Sequence, residues 1–223
     1  MLRVLDWSAP RLDRMRSVWP LAVTGAAGLA TFGWMCDAVG DRDGVTAIDG
    51  PISVWFVAHR SLAEGQWGLL VAKVISPMLV LLIVAAVLVI LVRRGYRAAT
   101  ITLAGATVLA YGSGFVAKYF EHRARPSSPI NLAPEAEGSF PSGHVLVIAT
   151  VAFVALGLGW AHMNRTARII AAVIATAITG IVALDRLVVG AHWLTDVVGS
   201  LGLAAVITAV ALAAHAVLAR LCR

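Results

Sequence analysis

Cysteine and charge are both scarce in this chain, and each scarcity excludes a class of protein. The 223 residues include only two cysteines, Cys36 and Cys222, so neither a disulfide framework nor a cysteine-based metal site is available. Charged residues make up 13% of the sequence, about half of what a soluble domain carries. Repeats and low-complexity tracts are absent as well, so we expect neither a disulfide-rich secreted domain nor an ordinary soluble one.

Hydrophobic residues, in contrast, make up 60% of the sequence and are concentrated in long blocks. A helix of about 20 apolar residues spans a bilayer, and six blocks come close to or exceed that length. We therefore predict an all-α, six-transmembrane-helix bundle that forms one integral membrane domain over residues 1–223. The predicted spans are 18–35, 68–92, 98–117, 144–162, 167–184 and 197–219.

The arginine distribution predicts how the bundle is oriented. One side would hold both termini and the turns at 93–97 and 163–168, with eleven arginines and two aspartates. The other side would hold the remaining seven basic and ten acidic residues. Because basic loops stay in the cytoplasm, we predict cytoplasmic termini in a plasma (inner) membrane. The loops at 36–66, 118–143 and 185–196 would then face the exterior.

Two of these features have a second interpretation. The net charge of +6 would suit a nucleic-acid surface, but membrane orientation accounts for it, so we expect no nucleic-acid partner. The first block would suit a cleaved signal peptide, but about seventeen residues with four arginines precede it and no clear small-residue cleavage site follows. We therefore favour an uncleaved anchor. Cys36 and Cys222 would lie on opposite sides of the membrane and could not pair.

Three predicted outer segments contain ionisable residues that orientation alone does not explain. They read KYFEHRARP at 118–126, PSGH at 141–144 and DRLVVGAHWLTD at 185–196. All three fall at the outer ends of predicted spans three to six. We therefore expect them to converge on one site.

The second segment places Ser142, Gly143 and His144 at the start of a span. A helix N-terminus presents free N–H groups and the positive end of the helix dipole, which together favour an anion. Ser142 suits an N-cap or a hydroxyl donor, and Gly143 allows a ligand close to the backbone. A plain helix cap with a neighbouring histidine is the alternative.

In the third segment, His192 and Asp196 are four residues apart and would share a helix face. A carboxylate that accepts the proton of one imidazole nitrogen leaves the other nitrogen as a nucleophile or base. A purely structural pair is the alternative. With His144 the two would also form a two-histidine, one-carboxylate metal set, but the surrounding lysine and arginine would repel a cation, so we expect no metal.

Basic residues also occur in the first and third segments. Lys118, Arg125 and Arg186 at span ends would ordinarily extend to the membrane surface, but on an acidic outer face that explanation weakens. Three cations near a helix N-terminus and two histidines suit a phosphoryl group, whose oxygens match guanidinium N–H donors.

Taken in order, these motifs resemble the signature of the type-2 phosphatidic acid phosphatase family, the lipid phosphate phosphatases. The chain has Lys118, six residues and Arg125-Pro126, then Pro141-Ser142-Gly143-His144, then Arg186, five residues, His192, three residues and Asp196. The signature covers core residues 118–196, and the six-span topology extends the resemblance over nearly the whole chain. One position departs from the pattern, because Asp185 stands where the family usually has serine.

The resemblance implies a metal-independent, cofactor-free phosphatase whose partners are a lipid phosphate and the bilayer. His192 would attack phosphorus, Asp196 would orient it, and His144 would protonate the leaving group and then activate water. The phosphoryl oxygens would be held by Lys118, Arg125, Ser142, Gly143 and Arg186. The substrate would be a polyprenyl (pyro)phosphate, phosphatidate or phosphatidylglycerol phosphate.

Two other functions stay open at this point. A lipid phosphotransferase would use the same phosphohistidine and pass the phosphoryl group to an acceptor other than water. A non-catalytic lipid-binding or transport protein would keep the cations and need no nucleophile, and the His192–Asp196 pair argues against it.

Overall fold

The computed structural model describes residues 19–41, 44–127, 129–133 and 135–221. Every regular element in these ranges is a helix, which confirms the predicted all-α class. The arginine-rich residues 1–18, Cys222 and Arg223 lie outside the described ranges. The α-helices are α1 (Trp19–Asp41), α2 (Asp49–His59), α3 (Leu62–Val74), α4 (Pro77–Arg93), α5 (Arg97–Glu121), α6 (Gly143–Gly159), α7 (Arg165–Val188) and α8 (Leu194–Leu221).

Five helical segments of the described chain are long and apolar enough to cross a bilayer, and they correspond to predicted spans two to six. Helix α1 coincides with the first predicted span but is not among the five, because glycines, threonines and two aspartates dilute its apolar residues. A multi-pass membrane protein is therefore confirmed, while the count of six spans stays a prediction. The five segments are Leu62–Arg93, Arg97–Glu121, Gly143–His162, Arg165–Val188 and Leu194–Leu221.

The second predicted span is broken into α3 and α4. Ser76 caps α4 by accepting a hydrogen bond from the backbone N–H of Leu79, and Pro77 is the first helical residue. Proline suits that position because the first turn has no partner for its missing N–H. Helix α4 leaves large apolar side chains such as Leu82 and Ile90 more than half exposed, as expected for a surface that faces lipid tails.

Helix α6 lies at the centre of the bundle and packs against α5, α7 and α8. Its residues Val145 and Leu146 are completely buried. Helix α1 packs along α8 through glycines, since a Cβ atom at Gly28 would lie 2.6 Å from the carbonyl oxygen of Gly202. Small residues allow such close helix crossings in membranes.

Candidate active site

The three predicted segments meet at one end of the bundle. Helix α5 ends just after Lys118, α6 begins at Gly143, and the turn between α7 and α8 contains His192. Arg125 of the first segment contacts His192 of the third directly. The predicted convergence of the first and third segments is therefore present, and α6 begins beside them.

His192 and Asp196 form the predicted pair, but they do not share a helix face. His192 lies in the turn before α8, so that part of the prediction is wrong. Nδ1 of His192 lies 3.4 Å from Oδ2 of Asp196, and both side chains are buried. The same carboxylate oxygen accepts the backbone N–H of Trp193 at 2.9 Å. The carboxylate therefore caps the start of α8 and orients the imidazole at once.

The second imidazole nitrogen faces a cation. Nη1 of Arg125 lies 3.2 Å from Nε2 of His192. Because a guanidinium N–H only donates, Nε2 is the acceptor, and the proton is assigned to Nδ1, which donates to Asp196. Burial lowers the pKa of His192, although Asp196 acts in the opposite direction. The imidazole is therefore neutral at pH 7, with a lone pair on Nε2.

Asp196 is fixed from a second direction by residues that the sequence reasoning missed. Nη1 of Arg123 donates to Oδ1 of Asp196 at 2.5 Å and to Oγ1 of Thr195 at 2.7 Å. Nη2 of Arg123 donates to Oδ2 of Asp49 at 2.6 Å. Asp49, at the start of α2, also accepts the backbone N–H of Thr195 at 3.0 Å and its hydroxyl at 2.6 Å.

This network has no signature of its own in the sequence. Arg123 stands between the two basic residues of the first motif and looks like a spacer. Asp49 lies 146 positions before Thr195. The one available signal is the location of Asp49 in a predicted outer loop, on the same side of the membrane as the motifs.

The start of α6 matches part of the prediction for the second segment. Ser142 occupies the N-cap position, but its side chain makes no capping hydrogen bond. Its Oγ is buried and has no hydrogen-bond partner among the described residues, while its backbone N–H donates to Oγ of Ser200 at 2.7 Å. Apart from its chain neighbours and the backbone of α6, no atom of the residues that the structure describes lies within 4 Å of the place where a Cβ at Gly143 would be, so the first turn of α6 borders open space.

His144 follows at this helix end and faces charged groups. It interacts electrostatically with Arg186, Glu135, His192 and Lys118, and it has no hydrogen-bond partner in the described part of the chain. An imidazole without a hydrogen-bond partner can donate or accept a proton. His144 lies beside the neutral imidazole of His192 and several cations, so it is suited to proton transfer.

Each of the three predicted phosphate-binding cations is paired with a carboxylate. Nζ of Lys118 lies 3.0 Å from Glu137, and Nη2 of Arg125 lies 2.7 Å from Glu135. Nε of Arg186 donates to Asp185 at 3.0 Å, and Nη2 of Arg186 contacts the same oxygen. The residue that departs from the family pattern therefore pairs with the motif arginine.

The loop between the first two motifs packs against the turn that contains His192, and contacts are made at Ile130. Gly190 in that turn has φ +70°, and a Cβ there would lie 2.2 Å from the carbonyl oxygen of Ile130, so only glycine fits. Nη1 of Arg60 donates to Ile130 at 2.8 Å and to the carbonyl oxygen of Val188 at 2.9 Å. Glu135 and Glu137 follow in the same loop, beside the cations.

The described residues contain no group of three histidine, cysteine or acidic side chains arranged to hold a metal ion. The set considered from the sequence was His144, His192 and Asp196. Both oxygens of Asp196 already accept hydrogen bonds. This arrangement suits hydrogen bonding better than metal coordination.

Comparisons with known proteins agree with the motifs. The family model described as the PAP2 superfamily matches residues 99–220, more than half of the chain. The crystal structure of a transmembrane PAP2-type phosphatidylglycerolphosphate phosphatase from Bacillus subtilis superposes with a TM-score of 0.70 at 20% identity, covering 83% of this chain and 94% of the other. None of the curated proteins compared with the sequence matches it. The matched region contains all three motifs, and the chain belongs to the PAP2 superfamily, the type-2 phosphatidic acid phosphatase family.

Proposed function

We propose that this protein is a membrane phosphatase that hydrolyses the terminal phosphate of a lipid through a phosphohistidine at His192. The geometry of the imidazole is the main support. Its Nδ1 is directed to Asp196, and its Nε2 faces Arg125 of the phosphate-binding motif. A neutral imidazole held in one tautomer keeps its lone pair on Nε2, and this lone pair can attack phosphorus once a phosphoryl oxygen replaces it as the acceptor of the Arg125 N–H.

In the first step, the Nε2 lone pair of His192 forms a bond to phosphorus and the bond from phosphorus to the leaving oxygen breaks. His144 donates a proton to that oxygen. The Nδ1 proton stays on His192, and Asp196 stabilises the positive charge that develops on the ring. Proton donation of this kind contributes about 10²–10⁴-fold to a rate.

In the second step, neutral His144 accepts a proton from water as the water oxygen bonds to phosphorus. The phosphorus–nitrogen bond breaks, its electron pair returns to Nε2, and inorganic phosphate leaves. Lys118, Arg125 and Arg186 hold the equatorial oxygens in both steps, together with the hydroxyl of Ser142 and the N–H of Gly143. Phosphoryl transfer depends mainly on such positioning and charge stabilisation.

The network behind the pair keeps Asp196 in place during these steps. Asp196 is completely buried and Asp49 nearly so, and the guanidinium of Arg123 lies between the two carboxylates. A carboxylate held at both oxygens cannot rotate away when the imidazole becomes charged. We assign Arg123, Asp49 and Thr195 as positioning residues for Asp196.

The active site would face the periplasm or exterior of a plasma (inner) membrane. The motifs lie at one end of the bundle, whereas the arginines at 93–97 and 165–168 lie at the opposite helix ends. Since basic segments stay in the cytoplasm, this distribution supports cytoplasmic termini and six spans, with α1 as the first. The phosphate would bind at the outer rim while the lipid tail stays among the helices.

The substrate class is tested by phosphate release from purified protein in detergent. The panel contains a polyprenyl pyrophosphate, a polyprenyl phosphate, phosphatidate and phosphatidylglycerol phosphate, the last because the solved neighbour is named for it. Parent protein should release phosphate from at least one lipid, with chelator present, and His192→Ala should release none. Equal activity of parent and variant would remove the catalytic assignment.

The same measurement separates hydrolysis from phosphotransfer. Water is the acceptor in the proposed reaction, so release should not depend on any added alcohol or second lipid. Phosphate release that appears only with an added acceptor would instead indicate a phosphotransferase.

A further inference from the structure

Arg125 has no donor left for a substrate. A guanidinium carries five N–H groups, and each has an acceptor here. Nε donates to the carbonyl oxygen of Glu137 at 2.9 Å, and Nη1 donates to the carbonyl oxygen of Ala191 at 2.8 Å and to Nε2 of His192 at 3.2 Å. Nη2 donates to Glu135 at 2.7 Å and to the carbonyl oxygen of Gly138 at 3.3 Å.

A phosphoryl oxygen can therefore bind Arg125 only by replacing one of these acceptors. Three of the five are backbone carbonyl oxygens, which move only with the chain, and the fourth, Nε2 of His192, belongs to a buried side chain that Asp196 holds in place. The Glu135 carboxylate is on a side chain that is 36% exposed, so it can turn out to solvent. It is the acceptor that a substrate displaces most easily.

Glu135 also lies within the electrostatic reach of the rest of the site. Burial by itself raises the pKa of Glu135, but Arg125, His192, His144 and Lys118 together hold that pKa below its ordinary value. The side chain is therefore ionised at neutral pH and interacts with the same groups as a bound phosphate would. Glu137 pairs with Lys118 in the same way at 3.0 Å, and its side chain is 68% exposed.

We propose that Glu135 and Glu137 are specificity-determining residues, which occupy the cations of the phosphate site between turnovers and admit only a dianionic terminal phosphate. The proposal rests on the phosphatase function proposed above. A phosphomonoester carries about −1.5 to −2 charges at pH 7, so it gains more from these cations than a carboxylate does. A phosphodiester carries one negative charge and gains nothing over the glutamate that it must displace.

This competition has a consequence at a membrane surface. A site at the bilayer rim is surrounded by phospholipid headgroups, most of which are phosphodiesters. Three bare cations beside a helix N-terminus would bind them, and the site would be inhibited by its own membrane. The carboxylates of Glu135 and Glu137 are paired with the cations, so monoanionic headgroups do not bind there. A dianionic terminal phosphate binds the cations more strongly and displaces the carboxylates.

The test measures inhibition by a phosphodiester and turnover of a phosphomonoester on the same protein. Full-length parent, Glu135→Gln, Glu137→Gln and the double variant are assayed in detergent with dihexanoyl phosphatidate as substrate and dihexanoyl phosphatidylglycerol as inhibitor. Glu64→Gln is the matched control, because Glu64 is an exposed acid at the start of α3 without contact to the site, and glutamine also serves in its capping position.

We expect the inhibition constant of the phosphodiester to fall roughly tenfold in Glu135→Gln and further in the double variant. The KM for the monoester should fall less, and kcat should stay within about threefold of the parent. Unchanged inhibition constants in an active protein, or a loss of kcat without tighter diester binding, would overturn this inference alone. A parent protein that releases no phosphate from any lipid would overturn the proposed function itself.

Discussion

Arg123 holds Oδ1 of Asp196 at 2.5 Å, while Oδ2 of the same carboxylate faces Nδ1 of His192. The guanidinium also pairs with Asp49 at 2.6 Å, so two carboxylates share one cation. This relationship joins the start of α2 to the start of α8. It predicts that residues outside the proposed phosphate-binding set control the nucleophile.

Replacing Arg123 by Gln should lower kcat roughly 10- to 100-fold and change KM little, because hydrogen bonds to charged groups contribute about 1.5–3 kcal/mol. Arg123→Lys should recover part of the loss. Steady-state kinetics on lipid phosphates checks both values. The affinity for orthovanadate should be unchanged, because Arg123 does not belong to the phosphate site.

Arg168→Gln is the matched control, since Arg168 contacts Trp160 at the other end of the bundle. It should leave kcat at the parent value. A kcat of Arg123→Gln equal to that of this control would show that the network has no role in positioning Asp196.

Ser142→Ala tests a buried hydroxyl for which the described part of the chain offers no hydrogen-bond partner. A buried donor without an acceptor destabilises a fold by about 1–3 kcal/mol, so its removal should leave thermal stability equal or higher. The KM for the lipid phosphate should rise, because we propose that the hydroxyl binds a phosphoryl oxygen. Thermal unfolding in detergent and steady-state kinetics measure the two effects.

Thr150→Val provides the comparison for Ser142. Thr150 is a second buried hydroxyl on α6 that has no hydrogen-bond partner among the described residues, but it belongs to none of the motifs. Its removal should affect stability alone. A KM that is unchanged in Ser142→Ala would contradict the assignment of this serine to phosphate binding.

The motifs and the helical class could be predicted from the sequence because both are local patterns. Spacing placed Arg125, His192 and Asp196 in one site, and the structure has them in contact. The position of His192 outside a helix was missed, since four-residue spacing is compatible both with a helix face and with a capped turn. The roles of these residues remain predictions.

The remaining contacts depend on tertiary structure. Asp49 contacts Thr195 because α2 packs against the start of α8. No periodic pattern in the sequence predicts this contact between distant residues. The glutamates at 135 and 137 were part of an outer loop with no assigned function. Their pairing with Lys118 and Arg125 occurs in a loop that Gly190 and Arg60 contact at Ile130.

The pH dependence of kcat/KM should report the state of His192. Burial lowers the pKa of His192 below its ordinary 6.5, and the neutral form is the nucleophile in the proposed mechanism. Lowering the pH should therefore reduce activity only below the usual titration range of imidazole. Glu135 raises the pKa of His192, so Glu135→Gln should move the acidic limb to still lower pH.

The substrate titrates in the same way with the parent and with Glu135→Gln. A difference between their two pH profiles therefore comes from the protein. A limb that stays in place or moves to higher pH in Glu135→Gln would contradict the proposed electrostatic coupling. Glu64→Gln again serves as control and should reproduce the parent profile.

Membrane orientation is tested with single cysteines. In a background of Cys36→Ser and Cys222→Ser, Ala136→Cys should react with a membrane-impermeant maleimide added to intact cells. Arg94→Cys, in the turn between α4 and α5, should react only after the membrane is permeabilised. The opposite pattern would place the candidate site in the cytoplasm.

The most direct test of the account is chemical identification of the phosphorylated residue. Protein is mixed with lipid labelled at the terminal phosphate, quenched within one turnover, and mapped for an acid-labile, base-stable label. We predict a label on His192 in the parent and none in His192→Ala. A labelled His192→Ala, or an active parent whose label lies on any other residue, would contradict the mechanism.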